Sequence, residues 1–258
     1  MQRRAEGRDH LDPWAGLQVV GQSVDAWALA HDLKGALAAK GQAAPAFEVV
    51  VHPRYNPEAI TAYNIVPGLL GVILSMTLVM MTALSVTRET ERGTMESLLA
   101  TPLEPIEVMI GKLAPYVLVG VIQTVIILIL AKLLFAVPMA GGWIGLVTGV
   151  SLFIVSSLAL GFLISTVARS QLQAMQMSFF YILPSILLSG FMFPFRGMPA
   201  WAQAIGEVIP VTHFLRVVRG ALLKGQDLGD MWRELAALLA FVCVVTALAM
   251  ARYRRTLD

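Results

Sequence analysis

The residues of this chain whose types and spacing could do chemistry fall in three places. His213, Arg216 and Arg219 recur at i, i+3 and i+6, along one side of a helix. Such a polar strip could meet anionic lipid or substrate headgroups, or simply snorkel toward water. No second His, Cys or carboxylate stands at ligand spacing from His213, so no metal site is expected. Gln171, Gln173 and Gln176 read as interhelical hydrogen-bonding residues, worth about 0.6 kcal/mol each on average. The third place, Thr87 to Lys112, could carry a mechanism of another kind: force received from a partner.

Enzyme chemistry has little to stand on in this sequence. It contains no G-x-x-x-x-G-K-[ST] loop to cradle ATP phosphates, and neither H-E-x-x-H nor G-x-S-x-G. The expectation is a chain without its own ATPase site and without a cofactor of its own.

The elements that must position these residues are apolar. Hydrophobic residues make up 57% of the chain and charged ones 14%, against roughly 45–50% and 25% in ordinary soluble domains. Five charge-free stretches stand out, at 66–87, 113–131, 143–168, 172–195 and 235–251. A bilayer core of about 30 Å needs about 20 apolar residues of helix, so each is long enough to span, the last only just. Backbone groups in hydrocarbon must bond internally, which makes helix the physical reading. The expected fold is therefore an all-α polytopic membrane bundle of about five transmembrane helices over 66–258. None of the five stretches holds an acidic residue. A proton- or sodium-coupled carrier usually needs one in the membrane, so energy is expected to come from outside the chain.

Residues 1–65 differ, holding 13 of the 36 charged side chains. Leu17 to Gly21 and Phe47 to Val51 read as short strands. Ser23 can cap a helix between them that aligns Leu29, Leu33 and Leu37. The expectation is a partial α/β extracytoplasmic segment joined to the membrane through Pro53, Asn56 and Pro57. Arg252, Arg254 and Arg255 mark the C-terminus as cytoplasmic, which puts 88–112 and Arg169 on the same side. An external N-terminal segment then calls for a further span upstream of Met1.

Within 88–112, Met95, Leu98 and Leu99 recur at helical spacing, and Gly93 permits a sharp break before them. Thr101-Pro102-Leu103-Glu104 has the form of a capping box with proline at the first helical position. One reading is a hairpin lying on the lipid surface; the other is a docking helix for a groove of a soluble partner. Three basic against five acidic residues in the segment disfavour an anchor for anionic lipid and tilt toward a protein. Further on, Gly190, Pro194, Pro199 and Trp201 lie in a stretch, 190–213, that three prolines keep from spanning. It is expected to fold back as an outer re-entrant element, or to be an ordinary loop.

The stretch RETERGTMESLLATPLEPIEVMIGKLAPY closely resembles the signature of bacterial ABC-2 type transporter permeases, membrane subunits of ATP-binding cassette exporters. Four more stretches match in order: NPEAITAYNIVPGLL, GFLISTVARSQLQAMQ, LPSILLSGFMFPFRGMPAWAQ and IPVTHFLRVVRGALLKG. The resemblance implies six spans, a large external domain between the first two, and a dimer or heterodimer of permeases in the bacterial inner membrane. It implies a separate ATPase subunit that binds ATP and Mg and grips a coupling helix between the second and third spans. Here that helix corresponds to Glu89, Arg92, Gly93, Thr94, Glu96, Leu98, Leu99, Thr101 and Pro102. The first span of the pattern is not in this sequence. The implied cargo is amphipathic, drug-like or lipid-like. Membrane lipid is a partner, a periplasmic adaptor protein is compatible, and nucleic acid is not expected at a net charge of +2. A membrane scaffold or assembly factor without transport is the alternative.

Overall fold

The computed structural model describes residues 61–92 and 105–255, and all regular structure among them is helical. In chain order these are α1 (Thr61–Glu91), α2 (Pro105–Phe135), α3 (Trp143–Val167), α4 (Gln171–Leu188), α5 (Ala200–Gly206), α6 (Pro210–Leu223) and α7 (Trp232–Arg255). One 3-10 turn, Phe195–Gly197, precedes α5. The strand–helix–strand unit expected near the N-terminus lies outside the described residues. Where its linker was expected to reach residue 65, the chain is already helical from Thr61.

Four described helices are long and apolar enough to cross a membrane: Ile65–Glu91, Ile110–Phe135, Trp143–Val167 and Trp232–Arg252. The stretch 172–195, expected as another span, is a shorter helix. The α4 helix has 18 residues and stops at Leu188. Gln171, Gln173 and Gln176 occupy its first two turns, and Gly190 then takes a left-handed φ of 82° that no continuing helix accepts.

The centre of the bundle is the pair α1 and α3, which pack along each other. On its far side α3 carries α7, while α4 lies against α1. The α6 helix wedges into the space bounded by α1, α3 and α7. Its 14 residues rise only about 21 Å, too little to span. Even so, Phe214, Leu215, Val217 and Val218 are fully buried. The phenyl ring of Phe214 stacks on Phe153 of α3 with centroids 4.0 Å apart and planes 5° from parallel. By contrast α2 leaves Leu118, Ile122, Leu133 and Leu134 exposed, the side chains that a bilayer covers.

Close helix approach rests on small residues, as membrane packing requires, because lipid tails are as apolar as leucine and supply no hydrophobic push. Gly161 of α3 lies against the Val79 backbone and Thr82 of α1, and Ala83 and Ala159 are small residues of the same buried cluster. Several hydroxyls inside the bundle turn back on their own helices. Thr124 donates to the Gly120 carbonyl at 2.8 Å, Ser156 to Phe153 at 2.9 Å and Ser178 to Ala174 at 2.8 Å. Midway along the bundle, Gln123 Nε2 of α2 donates across to Thr77 Oγ1 of α1 at 3.1 Å.

Candidate functional site

At one end of the bundle α1 finishes, α2 and α4 begin, and the candidate coupling segment leaves and returns. Glu89, on the last turn of α1, forms an ion pair with Lys112 of α2. That contact closes the base of the excursion between the two spans. Two residues further on, the exposed Glu91 carboxylate reaches α4. Its Oε1 accepts from the Gln171 backbone N–H at 2.8 Å and its Oε2 from Gln171 Nε2 at 2.5 Å. A carboxylate at a helix N-terminus satisfies an amide that has no partner within the helix and sits at the positive end of its dipole. The same turn is capped from within. Ser170 Oγ accepts from Gln173 N–H at 3.2 Å, and Gln173 Oε1 accepts from Arg169 N–H at 2.8 Å. So three helices are tied together around the foot of one segment. Arg92 is exposed at the point of departure. Gly93, Thr94, Glu96, Leu98, Leu99, Thr101 and Pro102 lie outside the described residues.

The opposite end holds the residues expected to form an outer element. Pro194 precedes the 3-10 turn and Pro199 precedes α5, each extended and each ready to start a helical turn. Trp201 is exposed on α5. His213, Arg216 and Arg219 do share one side of α6, and that side faces protein. His213 Nδ1 lies 2.5 Å from Glu234 Oε2 of α7, and Nε2 lies 2.8 Å from the Glu207 carbonyl oxygen. Arg216 donates to both Glu207 carboxylate oxygens, at 2.6 and 3.0 Å, with a longer contact of 3.5 Å to Glu234. Its guanidinium lies 4.7 Å from the centroid of the Phe195 ring. Arg219 donates to the carbonyl of Gly190 at 3.2 Å. Burial alone pushes the His213 imidazole toward its neutral form. The Glu234 and Glu207 oxygens outweigh burial and hold its pKa above the ordinary histidine value.

Comparison with known proteins decides the family. A family model described as "ABC-2 family transporter protein" matches residues 20–251. The chain belongs to the ABC-2 transporter family. Among its relatives is the probable multidrug ABC transporter permease YbhR of Escherichia coli K12, 33% identical over 208 residues, which are 81% of this chain and 56% of that one. The probable multidrug ABC transporter permease YbhS of the same strain is 34% identical over 215 residues, 83% of this chain and 57% of that one. A more distant relative, ABC transporter G family member 20 of Dictyostelium discoideum, is 26% identical over 76% of this chain and 27% of its own. The chain spans about half the length of the curated bacterial relatives it matches. With four spanning helices and these relatives, it is a multi-pass protein of the bacterial inner membrane.

Within this ABC-2 permease domain, two members of the outer cluster escape sequence reasoning. Glu207 and Glu234 stand at no ligand spacing from His213, so nothing local in the sequence singles them out. Their signal was the charge balance: from 207 to 234 the four carboxylates Glu207, Asp227, Asp230 and Glu234 stand against Arg216, Arg219, Lys224 and Arg233. Of the three glutamines, Gln171 makes an interhelical bond, Gln173 caps its own helix, and Gln176 is exposed.

Proposed function

We propose that this chain is the permease part of an ATP-binding cassette exporter, moving an amphipathic, drug-like or lipid-like substrate outward. The ATP and its Mg are bound by a separate ATPase subunit. Two permease copies, or one copy and a homologue, frame the path between their spans. The observation that carries this reading is the convergence of α1, α2 and α4 on the foot of one segment, through Glu89–Lys112 and Glu91–Gln171. A displacement applied to that segment reaches two spans through the peptide chain and a further helix through Gln171. Force so delivered biases a two-state bundle only if the partner binds the two states unequally, and nucleotide-dependent closure of an ATPase pair supplies that difference. The family membership and the names of the bacterial relatives support the same reading.

Leu98 and Leu99 are the apolar side chains assigned to the ATPase groove. Replacing both with aspartate places two charges in that contact, each costing several kcal/mol to bury unpaired. Co-purification of the ATPase is expected to fall at least about tenfold, which takes only 1.4 kcal/mol, while the variant still inserts in the membrane. Wild-type recovery of the partner overturns the docking assignment.

A further inference from the structure

We propose that His213, Glu234, Arg216 and Glu207 form a latch that positions α5 and α6 against α7, closed while His213 carries a proton on both ring nitrogens and released as it loses one. This deepens the proposed function and rests on it only in taking α5 and α6 as a moving outer element.

The geometry leaves the imidazole little choice. Each ring nitrogen faces an acceptor: the Glu234 carboxylate at 2.5 Å and the Glu207 carbonyl at 2.8 Å. A neutral imidazole has one N–H, so one nitrogen lone pair would then point at an oxygen lone pair. Only the imidazolium donates to both. Arg216 completes the charge balance with a two-pronged bond to Glu207. Two cations thus meet two carboxylates, and no charge in the cluster is left uncompensated.

The connectivity makes this a latch. Glu207 lies on the short connection from α5 to α6, His213 and Arg216 are on α6, and Glu234 is on the first turn of α7. Phe195, in the turn before α5, lies under the Arg216 guanidinium. One set of contacts therefore fastens three successive pieces of chain. The groups that act on His213 are Glu234, Glu207 and Arg216; Arg219 of the same helix turns to the Gly190 carbonyl, and Lys224, Asp227 and Asp230 are exposed on the connection to α7. The α3 helix has no ionisable group, α1 brings only Tyr63 to this end, α4 has only Tyr181, and Arg233 beside Glu234 is exposed. The raised pKa of His213 agrees with this geometry and sets the direction. The histidine's contribution is fully present below the unlatched imidazole value of about 6.5 and is lost as pH rises through the higher latched value.

Spin-label distances test this on the full chain in lipid nanodiscs, with Cys243→Ser and nitroxides at Ala204→Cys on α5 and Arg233→Cys on α7. One narrow distance is expected at pH 6, and a longer or broader population at pH 9. The ratio of open to closed should rise at least about threefold between the two pH values, a change of about 0.7 kcal/mol at 1.4 kcal/mol per tenfold. His213→Gln cannot take the second proton and should give the same trace at both pH values. Glu234→Gln should populate the open form at pH 6. A second label pair, Arg88→Cys with Arg169→Cys at the far end, should stay unchanged throughout and reports that each variant is folded. An identical wild-type trace at both pH values overturns the latch. So does a wild-type-like pH response in His213→Gln. No ATPase or substrate enters the measurement, so a failed latch leaves the docking assignment standing, and the reverse.

Discussion

Phe214→Ala is expected to destabilise the bundle by about 3 kcal/mol, the lower end of the usual range for emptying a buried phenylalanine site. Phe214 is fully buried and stacks on Phe153 of α3. On its other side, a Cβ added at Gly71 of α1 would stand 3.1 Å from its Cδ1. The ring therefore fills the gap between the two central helices and ties α6 to both. In a membrane protein little of its worth comes from leaving water. It comes from dispersion contacts, which a void forfeits outright. That is why the lower end of the range applies. Thermal unfolding in detergent or nanodiscs measures it, with Phe214→Leu as the companion variant that keeps most of the volume and should cost less than about 1.5 kcal/mol. A loss below about 1 kcal/mol for the alanine variant would show that α6 is not packed against α1 and α3.

Gly161→Leu acts at the crossing of α1 and α3 by the opposite means, adding atoms where there is no room. A Cβ at Gly161 would lie 2.7 Å from the Val79 carbonyl oxygen and 2.8 Å from Thr82 Cβ. The first of these is backbone, so relief requires the helices to separate. Overpacking of a close-packed core costs about 1–3 kcal/mol. Here the clash is with backbone on one side and a buried Cβ on the other, neither of which can turn aside, so the upper part of that range is expected. Gly161→Ala should show much of the effect, because the Cβ alone makes the clash. The check is the midpoint of thermal or denaturant unfolding for the two variants. An alanine variant of wild-type stability would contradict the close crossing.

Much of this fold was legible because the membrane simplifies it. Charge-free runs of about 20 residues admit few other readings, and the stretch 143–168 matches α3 to within a residue. Helix ends were less legible. The α1 and α2 helices extend well past their apolar stretches, since charged turns such as Arg88 to Glu91 continue the hydrogen-bond ladder outside the hydrocarbon. The α4 helix ends early because the left-handed turn at Gly190 arrives before charge does. Apolarity alone carries no signal for that. The outer cluster was the hardest to foresee. His213, Arg216 and Arg219 on a short helix look like a strip turned to water or headgroups. Their partners Glu207 and Glu234 lie 6 and 21 residues from His213, and no local spacing rule joins them. At the other end, Gln171 meets Glu91 across 80 residues of chain. Pairings of that kind are set by how helices pack.

In the proposed function, the segment between α1 and α2 faces the cytosol and takes force from a separate ATPase. Labelling of Glu96→Cys, in a Cys243→Ser background, with a membrane-impermeant maleimide tests it most directly. Reaction is expected in inside-out vesicles, with protection when the ATPase is bound and none in intact cells. Reaction from the outside of intact cells would contradict the cytosolic placement.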